Sequence, residues 1–295
     1  MILKKLLVLL VILLFGTFLS GCSFLTMTFD FPTTTTTTLT TTMPNTINGT
    51  ISLGDLEYST FSYYESDTYL ITNVDEYNDV LLNTRDMIRK SNVEILTTLY
   101  TEAKVYPWST QTVRTAVGSS LGSGVIFLED ETYYYALTNH HVIDNDIYDA
   151  TYQIKAFEDS DESEAILVCF DESLDLAVVK FLKNDRQDIH LMDISTRLYT
   201  KFTEGELVLA VGNPLSVLNN VTFGEFRGME TIENADFKVI LHNASIHEGS
   251  SGGALVDVDG NLLGLNTWGY STTDEYSFSV PIYIIYMFLI NNGII

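Results

Sequence analysis

Lys4 and Lys5 open the chain with positive charge, and an apolar run from Leu6 to Leu19 follows, broken only by Gly16 and Thr17. A membrane-spanning helix needs roughly 20 apolar residues, so this shorter run, closed by Leu19-Ser20-Gly21 before Cys22, reads as a secretory leader. From Thr33 to Thr42 the chain is almost pure threonine and ends in Met43-Pro44, a composition that cannot build a core and predicts an extended tether. Residues 45–72 are polar and Tyr-rich without a clear period, and no element is predicted there. From Asp75 to Lys90, Val80, Leu81, Met87 and Ile88 recur among charges as on one face of an amphipathic helix.

The texture changes at Asn92. Short β-branched and aromatic runs alternate with turn signals, the pattern of an all-β barrel or sandwich. Strands are predicted at Val93–Leu99, Gly124–Leu128, Tyr133–Leu137, Ala165–Phe170, Leu176–Phe181, Leu207–Val211, Lys238–Leu241, Ala254–Val258 and Leu262–Thr267. Asp259-Gly260 predicts a two-residue hairpin turn between the last two, because glycine accepts the positive φ such a turn needs. Pro281 to Asn291 predicts a closing helix whose apolar run is too short to cross a bilayer. The expected organisation is a leader over 1–21, a tether with an unassigned segment over 22–75, and a folded domain over 76–295.

Composition narrows the function classes. A hydrophobic fraction of 46% with 18% charged residues is that of a globular protein. Lys plus Arg total 15 against 39 Asp plus Glu, a formal net charge of −24 that repels phosphate backbones and argues against a nucleic-acid partner. Leu19-Ser20-Gly21-Cys22 resembles a bacterial lipobox, which implies cleavage before Cys22, a diacylglycerol thioether on its sulfur, and a place on the outer face of a bacterial cell membrane. Cys169 then has no disulfide partner, and its apolar run predicts an unreactive thiol on a buried strand. The sequence contains no His-Glu-x-x-His or paired-Cys spacing, so neither a metal nor another cofactor is expected.

Three segments carry candidate chemistry. Gly249-Ser250-Ser251-Gly252-Gly253-Ala254 puts a serine in a glycine-rich turn before a strand, where a hydroxyl can stand clear of its backbone. The N–H groups of Gly249 and Ser251 could there converge on a developing oxyanion. In Thr138-Asn139-His140-His141-Val142 a histidine ends a strand, and imidazole is a natural general base for a hydroxyl. In Ser173-Leu174-Asp175-Leu176-Ala177-Val178 a carboxylate stands at the mouth of an apolar strand, able to hold an imidazole in one tautomer. Each alone has an ordinary structural explanation; the order His, Asp, Ser is that of the chymotrypsin-type triad.

The combination resembles the HtrA/DegP branch of trypsin-like serine proteases. Thr138 to Val142 matches its Thr-Asn-x-His-Val, Asp175 to Val178 its Asp-Leu-Ala-Val, and Gly249 to Leu255 its Gly-Asn-Ser-Gly-Gly-Ala-Leu with Ser250 in place of asparagine. Gly122-Ser123-Gly124, Val211-Gly212-Asn213-Pro214, Thr222-Phe223-Gly224, Leu263 to Thr267 and Phe278 to Pro281 add supporting matches. The resemblance implies two six-stranded antiparallel β-barrels with a short helix at each end. It also implies His141, Asp175 and Ser251 as catalytic residues, an oxyanion hole at Gly249 and Ser251, and a substrate pocket along Asn243, Ala244, Ser245 and Ile246. His140 is then a neighbour, and His190, His242 and His247 are polar residues on strand edges or pocket rims. With no carboxylate near Ser245, small or medium aliphatic side chains are the expected substrates of that pocket. Ser250 has no charge to receive a newly cut N-terminus, so proteolytic activation is not expected. Relatives usually carry C-terminal PDZ domains; none is expected here, and trimer formation through the N-terminal region is left open. Expected partners are protein or peptide substrates, unfolded or surface proteins in quality control, and the membrane through Cys22; the alternative is a catalytically silent scaffold lipoprotein on the same fold.

Overall fold

The computed structural model describes residues 46–53, 56–62, 74–144, 148–184, 186, 188–214, 217–233, 235–269 and 276–295. The predicted leader, Cys22 and the threonine-rich tether lie outside the described residues. Strands β1 (Thr46–Leu53) and β2 (Leu56–Ser62) pair antiparallel, in a segment whose sequence has no period to announce them. Helix α1 (Val74–Arg89) follows, with Leu81 and Ile88 fully buried, as their spacing predicts. Thr84 Oγ1 donates to the carbonyl of Val258 at 2.6 Å, which ties the helix to a loop of the second barrel.

Twelve strands close into two barrels. The first runs β3 (Asn92–Lys104), β4 (Thr112–Glu129), β5 (Tyr133–Thr138), β8 (Leu176–Leu182), β7 (Ser163–Asp171), β6 (Asp149–Lys155) and back to β3. The second runs β10 (Asn220–Thr231), β11 (Lys238–His242), β14 (Ser277–Pro281), β13 (Leu262–Gly269), β12 (Ala254–Val256), β9 (Leu207–Gly212) and back to β10. A one-turn helix α2 (His140–Ile143) interrupts the first barrel after β5, and α3 (Ile282–Asn291) closes the domain. Inward side chains Val93, Ile95, Ile126, Ala136, Ile154, Val179 and Phe181 fill the first barrel. A second, larger cluster takes Val125, Leu137, Leu176 and Val178 from the first barrel and Leu209, Val211, Val256 and Leu265 from the second. The barrels therefore share a core, and at ~1.5–3 kcal/mol per buried aliphatic side chain that shared layer holds the cleft between them rigid.

Three expectations need correction. Strand β7 is only half-buried, with Ile166 47% and Phe170 52% exposed, because alternate side chains point outward; Cys169 is partly buried and burial pushes its thiol pKa up. The turn at Asp259-Gly260 is longer than two residues. Gly260 N donates to Asp257 O and Asp257 N to Asn261 O, while Asp257 Oδ1 accepts from the N–H of Asp259 and Asn261, so Asp257 starts the turn and Gly260 (φ 82°) ends it. Strands β6, β10 and β14 were not predicted; β6 is polar and β10 carries Gly224 and Gly228.

Candidate active site

His141 is positioned by the end of β5. Thr138 Oγ1 donates to Ser123 O at 2.7 Å, and the chain then turns into α2 through extended Asn139. Asp175 meets it from the turn before β8. The His141 N–H donates to Asp175 Oδ1 at 3.0 Å, and ring Nδ1 lies 2.8 Å from Oδ2 and 3.1 Å from Oδ1. This bidentate contact fixes which face of the imidazole looks at the carboxylate and leaves Nε2 pointing away from it. The Asp175 side chain is only 12% exposed and that of His141 45%. Asp175 has φ +52°, a left-handed conformation that costs a residue with a side chain about 1 kcal/mol or more. The hydrogen bonds from His141 offset it, as do Asp175 N donating to Glu172 O and Asn139 Nδ2 donating to Asp175 O at 2.9 Å.

Ser251 comes from the other barrel. Ser250 N donates to His247 O at 2.8 Å to form the turn, and Gly249 and Gly252 take φ +96° and +85°, which side chains disfavour. A Cβ on Gly252 would also collide with Ser123 O and Thr138 Oγ1, so the glycine lets the turn press against the first barrel. Ser123 grips that turn on both sides: its N–H donates to Ser251 O and its Oγ to Gly249 O, each at 2.7 Å. Asn213 donates to the same hydroxyl from its N–H at 2.9 Å and its Nδ2 at 3.0 Å, while Nδ2 also reaches Val93 O. Ser123 and Asn213 thus join barrels and turn in one buried network. Neither Gly249 N nor Ser251 N has an acceptor among the described residues, so both are available to an incoming oxygen.

Ser251 Oγ donates to Thr267 O at 3.4 Å, and among the described residues no hydrogen bond joins it to the His141 ring. Thr267 links the two halves nonetheless, because its Oγ1 accepts from Asn139 Nδ2 at 2.7 Å. The predicted trio is therefore placed as a bonded His141–Asp175 pair and a serine held on the facing turn, with Asn139 and Thr267 spanning between them.

The predicted pocket segment is strung between strands. Asn243 Oδ1 accepts from Glu225 N at 2.6 Å, Ala244 O from Ser277 Oγ at 2.9 Å, and Ser245 O from Thr222 Oγ1 at 2.7 Å. Ile246 packs partly buried near Gly269, and Ser245 Oγ lies 3.2 Å from Nε2 of the exposed His247. His242 is not a rim residue. It is fully buried, 3.0 Å from Ser279 Oγ, and burial pushes its pKa down to about 3. His140 stacks on Phe170 with ring centroids 4.8 Å apart. His190 is part-buried beside Lys90, and burial, then that cation, lowers its pKa. Sequence reading gave no role to Ser123, Asn139, Asn213 or Thr267; their only signal was membership in the short matches around the three main motifs. Among the described residues no group of three His, Cys, Asp or Glu could hold a metal ion.

The chain resembles known proteins in sequence and in fold. A model of the trypsin-like peptidase domain matches residues 122–265. The chain is 35% identical over 173 residues to serine protease HTRA1 of Xenopus laevis, covering 56% of this chain and 34% of that protein. It is 35% identical over 161 residues to serine endoprotease DegS of Escherichia coli strain K12, covering 53% of this chain and 42% of that one. Among solved structures, the HtrA-type protease AlgW with tripeptide aligns with TM-score 0.55 at 29% identity over 72% of this chain and 64% of that chain. A serine endoprotease from Yersinia pestis aligns with TM-score 0.53 at 28% identity, over 76% and 68%. The chain spans well under half the length of these curated relatives. Two closed six-stranded barrels meeting at a histidine–aspartate pair and a glycine-framed serine define a trypsin-like serine protease fold. Within that fold its similarity runs to HTRA1, DegS and the HtrA-type protease AlgW.

Proposed function

We propose that the chain is a serine endopeptidase in which Ser251 is the nucleophile, His141 its general base and Asp175 the group that orients and steadies the imidazole. The observation that carries this is the bidentate contact of Asp175 with the N–H and Nδ1 of His141. It leaves Nε2 as the ring's acceptor, the tautomer a serine hydroxyl requires. Ser251 Oγ moves from Thr267 O to Nε2 when a substrate fills the cleft; such contacts commonly tighten only in the complex. It then attacks the peptide carbonyl, its proton passes to His141, and the N–H groups of Gly249 and Ser251 hold the oxyanion. His141 returns the proton to the leaving amine, and water releases the acyl-enzyme in a second round.

The same reading assigns substrates and place. The pocket along Asn243, Ala244, Ser245 and Ile246 offers no carboxylate to a basic side chain, which favours small or medium aliphatic residues before the scissile bond. Relatives described as an HtrA-type protease with tripeptide and as a serine endoprotease support protein or peptide substrates as the class, within which this reading takes unfolded or surface proteins. Cleavage before Cys22 and lipidation of its sulfur would hold residues 76–295 outside the cell membrane on the threonine-rich tether.

The test is cleavage of unfolded casein by the full chain beside Ser251→Ala. Wild type should cleave after aliphatic residues, and Ser251→Ala should lower turnover by roughly four powers of ten. A silent scaffold would show no difference between the two. Mass spectrometry of the N-terminal peptide should find Cys22 carrying a diacylglycerol; an unmodified Cys22 would refute the anchor alone.

A further inference from the structure

The hairpin of β3 and β4 is longer than its barrel needs. Strand β6 pairs with β3 only from Glu94 to Tyr100, whereas β3 and β4 stay paired from Tyr100↔Ala116 out to Lys104↔Thr112. At ~3.4 Å per residue, a bare two-stranded arm projects roughly 14 Å past the barrel wall. Its tip is ordered, since Val105 N donates to Gln111 O, Ser109 N to Tyr106 O and Gln111 N to Ser109 Oγ. That turn presents Tyr106 and Trp108 stacked at 5.7 Å and 7°, with Trp108 83% exposed. The arm is also two-faced. Thr101, Ala103, Val113 and Thr115 share one uncharged face, while Glu102, Lys104 and Arg114 share the other.

We propose that this tip inserts into the interfacial region of an anionic lipid bilayer. Three observations select that occupant. Tyrosine and tryptophan prefer the headgroup zone, where a ring is buried and its polar edge stays wet. The arm between Tyr100 and Ala116 carries one acidic residue, Glu102, in a chain of net charge −24, and Lys104 stands in the last pair below the tip. Arg114 is already met by Asp149 at 2.6 Å, so Lys104 supplies the attraction to anionic headgroups. An acidic body is repelled by an anionic surface, and by a second copy of itself, so contact with lipid has to be made through a projection whose single acid, Glu102, is outnumbered by Lys104 and Arg114. The inference draws on the proposed anchor only to bring a bilayer within reach, and its test does not depend on proteolysis.

The chain has two tryptophans, Trp108 and Trp268, so Trp268→Phe leaves the tip as sole reporter. This full-length variant is reconstituted in vesicles of equal parts phosphatidylcholine and phosphatidylglycerol, with or without lipids brominated near the headgroup. Trp108 emission should shift to the blue, be quenched by the brominated lipid, and lose severalfold sensitivity to aqueous acrylamide. A companion carrying Lys104→Glu, Val105→Ser and Tyr106→Ser, all at exposed positions, should recover acrylamide quenching with an unchanged far-ultraviolet dichroism spectrum. Trp108 fully open to acrylamide on vesicles would overturn the proposal. So would protection that ignores brominated lipid and grows with protein concentration, since a second copy would then cover the tip.

Discussion

Asp175 concentrates the local cost of the site. It holds a left-handed backbone with a side chain, and what stabilises it is the set of bonds that also fixes His141. Asp175→Asn keeps the shape but offers an N–H where His141 needs an acceptor, so the ring should flip its tautomer. Under the proposed mechanism kcat on a casein peptide should fall by about three to four powers of ten while the melting temperature changes little. A comparable activity in Asp175→Asn would contradict the role. His242 gives a prediction about pH. Its pKa is near 3 in the folded protein because burial excludes the charged form, and about 6.5 in the unfolded chain. Above the unfolded value both states are neutral and the fold loses nothing; as pH falls from about 6.5 towards 3, the unfolded state takes up a proton that the native state cannot. Urea midpoints should therefore drop steeply between pH 7 and pH 4, and His242→Gln should flatten that drop. An equal slope in both proteins would contradict the assignment.

The strands that could be read from sequence are those with an unbroken β-branched or aromatic run, such as Leu176–Leu182 and Leu207–Gly212, whose side chains are nearly all buried. Asp149–Lys155 could not be read, because its polar residues are held by pairing with β3 and by a single buried Ile154. The hairpin β1–β2 lacks any period, and pairing between neighbours in sequence makes it without one. The site divides the same way. His141, Asp175 and Ser251 stand in motifs whose residue types announce chemistry, whereas Ser123 and Asn213 are a serine and an asparagine whose meaning lies only in where two barrels meet. Thr267 and Asn139 are likewise invisible until β13 and α2 come together. Glycine packing at that junction is directly testable. Gly252→Ala must fit a methyl group against Ser123 O and Thr138 Oγ1 at φ +85°, so it should destabilise the protein by several kcal/mol or abolish folding. A melting curve within a degree or two of wild type would show that the turn does not press on β4 as described.

The whole domain is held by more than its shared core. In the connection between the barrels, Arg197 is 4% exposed and its Nη1 donates to Glu206 Oε1 at 2.6 Å and Asp257 Oδ2 at 2.7 Å. Its charged form is favoured strongly by those two carboxylates against the desolvation that opposes it. Arg197→Ala leaves two carboxylates buried without their cation and should cost about 3–5 kcal/mol in denaturant unfolding; a loss below ~1 kcal/mol would mean the carboxylates find other partners. A net charge of −24 also pushes the folded chain against itself, so the melting temperature should rise from low to physiological salt as screening shortens that repulsion. Under the proposed mechanism, activity depends on one hydroxyl made reactive by groups from the facing barrel. The most direct measurement is labelling of the full chain with a fluorophosphonate, followed by mass spectrometry of the modified peptide. The prediction is a single adduct on Ser251 that disappears in His141→Ala; an unlabelled protein, or an adduct on a different serine, would contradict it.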